Sequence, residues 1–153
     1  TINVRVPAGV DDGNRLRVAG KGEAGTNGGE NGDLYIEFTV REHEIFERDE
    51  DDIYLELPIS IVDAVLGCKK EIPTIYGKVD LTIPAGTQSN SKLKLKDKGV
   101  ENVSTKRKGD MYVIINVTIP TKLTKDQRKV FEELKDLEKP NNSIFNKFKK
   151  YFK

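Results

Sequence analysis

Tryptophan is absent from this 153-residue sequence, and cysteine, methionine and histidine occur once each. A single thiol, Cys68, excludes an intramolecular disulfide. One thiol and one imidazole cannot furnish the soft donors of a tetrahedral zinc site, so no metal ligand is expected. No serine or cysteine sits in a nucleophile-elbow pattern, and His43 has no partner histidine. It reads as a structural or surface residue, and the chain as a non-enzyme with no catalytic residue and no cofactor of its own. An excess of either charge is also missing, with 26 Lys and Arg against 25 Asp and Glu. A general nucleic-acid binder carries a clear basic surplus to neutralise phosphates, so nucleic acid is not an expected partner. No apolar run approaches the length of a membrane span, and nothing at Thr1 resembles a signal peptide, which makes a cytoplasmic setting the expectation.

What is present is a pattern used twice. Val4-Arg5-Val6-Pro7-Ala8-Gly9, Leu16-Arg17-Val18, Gly22 and Gly32-Asp33-Leu34-Tyr35-Ile36 reappear as Leu81-Thr82-Ile83-Pro84-Ala85-Gly86, Leu93-Lys94-Leu95, Gly99 and Gly109-Asp110-Met111-Tyr112-Val113. Every matched pair from Pro7 with Pro84 to Val40 with Val117 is 77 residues apart. A fixed offset without gaps marks one supersecondary unit used twice. The unit reads as β: Ile2, Val4 and Val6, then Leu16 and Val18, then Leu34, Ile36, Phe38 and Val40 alternate with polar residues, as strands with one buried face do. Proline ends the first strand of each copy because it has no N–H for the ladder.

Ahead of the second copy, Asp52 to Thr74 reads as a strand (Ile53, Leu55, Leu57), a short helix from Ser60 to Gly67 packed as a lid on the core, and a strand from Lys69 to Ile72. The first copy has no such preface in this chain, so its opening strands are expected to be missing and the chain to be a fragment. The expected fold is mainly β, with two tandem β-sandwich-like domains, the first incomplete at its N-terminus, followed by a C-terminal helix. The divisions are 1–48 and 49–121 for the β domains, 122–139 for the helix and 140–153 for a tail.

Gly20-Lys21-Gly22-Glu23-Ala24-Gly25 matches a dinucleotide-binding glycine pattern, but the residues after it cannot start the helix that reading needs, so it is expected to be an inter-strand loop. Arg48-Asp49-Glu50-Asp51-Asp52 lacks calcium-loop ordering and reads as a solvated turn between the units. Met111, Val113, Ile115, Val117 and Ile119 line one face of a last strand stopped by Pro120. Thr124 to Gln127 is a capping box, opening a helix from about Lys125 to Glu138 with an apolar stripe of Val130, Phe131, Leu134 and Leu137. That stripe packs on its own sheet or meets the same helix of another chain. Pro140 to Ser143 break the helix. The tail then interleaves Ile144, Phe145, Phe148, Tyr151 and Phe152 with lysines, which suits an acidic membrane surface, nucleic acid, or a partly disordered solubilising terminus; the last is favoured and membrane contact is not expected.

Together these motifs resemble the C-terminal region of the bacterial-type DnaJ (J-domain) heat-shock co-chaperones, from Thr1 to about Lys139. The resemblance rests on Val6 to Gly13, Gly22 to Gly25, Gly32 to Ile36, and His43 with Phe46, Arg48 and Asp49. It continues through Asp52 to Ser60, Leu66-Gly67, Ile83 to Gln88 and Lys98 to Val100. It implies a client-binding first β domain, a second β domain and a dimerising C-terminal helix, in a homodimer that holds unfolded polypeptides and delivers them to the DnaK-type ATPase chaperone. No His-Pro-Asp motif and no Cys-x-x-Cys pairs are present, so neither the J domain nor the zinc module lies in this chain, and zinc is expected only in that absent module. The client-groove candidates implied are Ile36 first, then Leu34, Phe38 and Ile2. The dimerisation candidates are Val130, Phe131, Leu134 and Leu137. The competing reading of the apolar strand positions is that they face the core. A rival function is a β-sandwich module binding a ligand or carbohydrate, for which exposed aromatics are few.

Overall fold

Met111, Val113 and Ile115 alternate with Tyr112 and Ile114 along one strand, and the first three are wholly buried, with 0% of their surface exposed. This strand, β8 (Met111–Thr118), is the centre of the computed structural model, which describes residues 1–138 and 143–152. It pairs in parallel with β4 (Asp52–Ser60), Ile53 opposite Met111, Leu55 opposite Val113 and Leu57 opposite Ile115. β3 (Phe46–Asp49) and β7 (Lys92–Leu95) pair antiparallel on the two outer sides, giving the order β3-β4-β8-β7. A hairpin of β5 (Cys68–Thr74) and β6 (Gly77–Ile83) contributes Ile72, Leu81 and Ile83 to the same core. Each of those side chains, taken from water, contributes about 1.5–3 kcal/mol.

The first copy forms only a hairpin, β1 (Arg15–Val18) with β2 (Leu34–Glu37). Its contacts reproduce those of β7 and β8 at the 77-residue offset. Leu16 faces Ile36 as Leu93 faces Val113. Gly22 N–H donates to Gly32 O at 2.8 Å, and Gly99 N–H to Gly109 O at 2.9 Å. Phe38 N–H donates to Asn14 O at 2.9 Å, and Ile115 N–H to Ser91 O at 2.9 Å. The duplication read from sequence is therefore a duplication of structure. The fold is mainly β, with sandwich-like packing of sheet and hairpin and a C-terminal helix.

Burial is where the copies part. Among the described residues every buried hydrophobic residue lies between Ile53 and Ile115, and the first copy has none. Residues 1–7 form no strand, contrary to the alternation of Ile2, Val4 and Val6. Their counterpart β6 is a strand because β5 bonds it along its length, and the positions 77 before β5 precede Thr1.

Three further expectations change. α1 (Ile61–Leu66), capped by the Ser60 hydroxyl accepting from Asp63 N–H, is not a covered lid: only Ala64 is buried, while Val62, Val65 and Leu66 are exposed. A helix of under two turns turns one side chain fully inward. Ile119 leaves the core face because β8 ends at Thr118, and it is exposed. The acidic segment after Arg48 is the turn of the β3–β4 hairpin; Asp49 and Glu50 are exposed as expected of a solvated turn, whereas the carboxylates of Asp51 and Asp52 accept hydrogen bonds, as described below.

The chain divides into two compact units, Thr1–Thr118 and Ile119–Lys153. In the second, α2 (Lys125–Leu137) opens on a complete capping box between Thr124 and Gln127. The break expected at Pro140 lies outside the described residues, and α3 (Ser143–Lys149) carries exposed Phe145 and Phe148.

The difference in burial gives a paired prediction. Ile115→Ala should cost about 2–5 kcal/mol of unfolding free energy in urea titration, whereas Phe38→Ala at the matched position should cost less than half as much, despite removing a larger side chain.

Candidate functional site

β2 is bonded to β1 on one side only, and no strand lies against its other edge among the described residues. Leu34, Ile36 and Phe38 are half-buried on the face that also carries Leu16 and Val18, while Tyr35, Glu37 and Val40 are exposed. The structure thus brings three of the four groove candidates together on one stripe. Ile2 lies on the strandless segment and is 44% exposed. The same stripe in the second copy is Met111, Val113 and Ile115, the innermost residues of the chain, where β4 covers the matching edge.

Each copy locks its hairpin with a carboxylate. Asp33 pairs with Arg17 and accepts the Gly20 N–H at 3.0 Å; Asp110 pairs with Lys94 at 3.3 Å and accepts the Asp97 N–H at 3.0 Å. The backbone donor is positioned by a left-handed residue in both, Gly20 at φ 68° and Asp97 at φ 60°. A donor aimed at the ionised form favours it. Asp33 is therefore held below the ordinary carboxylate range, chiefly by Gly20 N–H and then by Arg17. Asp110 is held low chiefly by Asp97 N–H, with Lys94 adding to it.

At the head of β8 the acidic turn is built into the sheet. Val100 N–H donates to Asp51 O at 2.7 Å, Asn102 Nδ2 to Asp51 Oδ2 at 2.9 Å, and Asp110 N–H to Asp52 Oδ1 at 2.8 Å. A Cβ on Gly99 or Gly109 would collide with the Asp51 carbonyl, so glycine is required by close approach.

Arg48 ties the first copy to this turn. Its Nη1 and Nη2 donate to Val10 O and Gly9 O at 2.9 Å each, and its Nε donates to Glu50 O at 2.6 Å. Gly9, at φ +91°, lies against Glu101, where a Cβ would collide with the carbonyl. His43 Nδ1 accepts from Ile45 N–H at 3.2 Å and its ring packs tilted, at 42°, against Phe46 with centroids 4.8 Å apart, a local structural role. Beside it runs an open cleft of about 780 Å³, with Val40, Ile45, Phe46 and Tyr54 in its walls and Glu42, Glu44 and Glu56 among its polar lining.

Residues 1–120 match the family described as DnaJ C terminal domain. The chain belongs to that family. It is 49% identical over 152 residues to a chaperone protein DnaJ of Erysipelothrix rhusiopathiae, 51% over 152 to that of Bacillus cytotoxicus and 52% over 158 to that of Parageobacillus thermoglucosidasius. Each alignment takes in 99% of this chain but only 41–42% of the relative, so the chain spans less than half of those DnaJ proteins. The curated relatives are named as chaperones.

The stripe and the repeat were readable from sequence. The roles of Arg48, Asp51 and Gly109 were not read there, although the second half of the 77-residue alignment holds Gly109 and Asp110 opposite Gly32 and Asp33. Among the described residues no cluster of three or more potential ligands could hold a metal ion.

The two clasps set an acid response. Because Asp33 and Asp110 have folded pKa values below their unfolded ones, the stabilisation they supply is present above the unfolded carboxylate pKa and is lost as pH falls through the folded pKa. Urea midpoints measured from pH 6 down to pH 2 should fall below about pH 4, and Asp110→Asn should flatten that fall while lowering the midpoint at pH 6.

Proposed function

We propose that this chain is the client-holding and self-associating part of a DnaJ-type co-chaperone. It binds non-native polypeptides, has no enzymatic activity, and works in the cytoplasm by delivering clients to a DnaK-type ATPase chaperone. The observation that carries the reading is the half-buried stripe of Leu34, Ile36 and Phe38 on a strand with one unbonded edge. Such an edge offers backbone donors and acceptors to an extended segment, while the apolar stripe receives alternate side chains. Ile36 is central to that stripe, and Leu34 and Phe38 flank it. Ile2 is the outlying contributor.

The equivalence of the stripe with Met111, Val113 and Ile115 favours a second reading, in which it is the inner face of a fuller β domain. One substitution separates them. Ile36→Asp should weaken client affinity about thirtyfold or more, the scale of a buried hot-spot residue, measured as lost suppression of aggregation of a denatured model protein, with far-UV circular dichroism unchanged. Retained suppression, or unfolding of the hairpin, assigns Ile36 to packing.

Self-association falls to α2. Val130, Leu134 and Leu137 are exposed, at 63, 53 and 79%, with Phe131 half-buried beside them. An amphipathic helix with such a stripe gains by burying it against a copy of itself. Leu134→Asp should convert a dimer into a monomer in sedimentation velocity, and a dimer that persists would place self-association elsewhere.

A further inference from the structure

Charge is unevenly placed along the chain. Residues 1–138 hold all 25 acidic residues against 21 Lys and Arg, a net −4, whereas residues 139–153 hold five lysines and no acid. This basic end is helical from Ser143 to Lys149, where the sequence alone favours a partly disordered terminus. Tyr151 N–H donates to Phe148 O at 3.1 Å and Phe152 N–H to Lys149 O at 2.9 Å, so a tightened last turn carries the coil on to Phe152.

Helical spacing then sorts the side chains by character. Phe148 follows Phe145 by three residues and Phe152 follows Phe148 by four, so the rings fall in one row, with centroids 6.2 and 5.1 Å apart. Tyr151, three residues beyond Phe148, lies beside that row. All four rings are at least half exposed, at 52 to 74%. Lys149 and Lys150 border them, their ammonium groups 5.5 and 5.4 Å from the Phe145 and Tyr151 ring centroids. The result is an aromatic face with a rim of one sign.

That rim decides what can cover the face. α2 also has an exposed apolar stripe, but Lys125–Leu137 carries four basic and four acidic side chains, the Arg128–Glu132 pair among them, and can meet its own copy without repulsion. Two copies of 143–152 would instead set lysine against lysine, which excludes a second copy as the occupant. Base stacking needs open ring faces, whereas Phe152 meets Phe148 edge to face at 83° and lysines lie over Phe145 and Tyr151, which argues against nucleic acid. An anionic bilayer offers what both halves of the segment need, acyl chains for the rings and headgroup phosphates for the lysines. Lysine stems are long enough to reach those phosphates while the rings lie deeper.

We propose that residues 143–152 are an in-plane anchor for anionic lipid bilayers. Phe145, Phe148 and Phe152 enter the acyl boundary, and Lys147, Lys149 and Lys150 engage the headgroup phosphates. Among the described residues no helix is long and apolar enough to cross a membrane, so the segment lies along the surface. Being short, it binds reversibly. This anchor is independent of polypeptide holding at β2.

Because the chain has no tryptophan, Phe148→Trp installs a single fluorophore at the centre of the row. The whole chain carrying it is titrated with vesicles of phosphatidylglycerol mixed into phosphatidylcholine, with phosphatidylcholine vesicles alone, with single-stranded DNA and with poly-glutamate. Emission should shift to the blue with the anionic vesicles only, and the binding should weaken as salt rises. Adding Lys149→Glu and Lys150→Glu should weaken vesicle binding at least about thirtyfold. In the chain without tryptophan, Phe148→Ser should weaken it about tenfold or more in vesicle flotation. Urea midpoints should be unchanged in both, since these side chains are exposed. Equal binding to phosphatidylcholine alone would overturn the proposal, as would binding to DNA or poly-glutamate as tight as to the anionic vesicles. Emission already blue without vesicles would show the row covered by protein and overturn it too. So would vesicle binding that survives both variants, or no binding at all.

Discussion

One backbone carbonyl, that of Asp51, lies closer to two glycines than any side chain would permit, and the second copy is arranged around that approach. With Gly99 and Gly109 reduced to bare backbone, the turn ahead of β4 sinks between two loops and delivers Asp52 to the Asp110 N–H. β4 then starts in the only register that sets Ile53, Leu55 and Leu57 against Met111, Val113 and Ile115. Since side chains alternate, a slip of one residue would turn that apolar face outward. A polar contact at one end of the sheet thereby selects which atoms form the core.

Arg48 extends the same logic to the first copy. A planar guanidinium with several donors in fixed directions can bridge three backbone carbonyls at once, which a lysine ammonium on a flexible stem does less well. It joins Gly9, Val10 and Glu50, so the turn that follows residues 1–7 and the turn between β3 and β4 are held together although they lie about forty residues apart. The first copy, lacking a buried residue of its own, is thus anchored through hydrogen bonds more than through apolar packing.

What could be read from sequence follows from which forces are local. Alternation in β2, β4 and β8 and the Ser60 and Thr124 caps are decided within a few residues, and each was legible. The family resemblance was carried by the same short motifs. Ile2 to Val6 carried an equally clear alternation and yet form no strand, because a strand depends on a neighbour that the pattern does not encode. The apolar run of α1 suggested burial, but six residues expose most of a helix whatever their character. The acidic turn looked solvated because its partners, Val100, Asn102 and Asp110, lie about fifty to sixty residues further on. The candidate stripe was legible as apolar, while its half-burial depended on knowing that β2 has one bonded side.

The parallel pairing of β4 with β8 has a consequence for how such a chain comes into being. Ile53 and its partner Met111 are separated by 58 positions. During synthesis from the N-terminus, at about 5–20 residues per second, β4 therefore waits roughly 3 to 12 seconds for its partner to be made. Throughout that interval β4 can pair with β3 alone, and Ile53, Leu55 and Leu57 lack the apolar partners that β8 brings. A protein of the DnaJ family is, for those seconds, itself a nascent chain of the kind that chaperones protect.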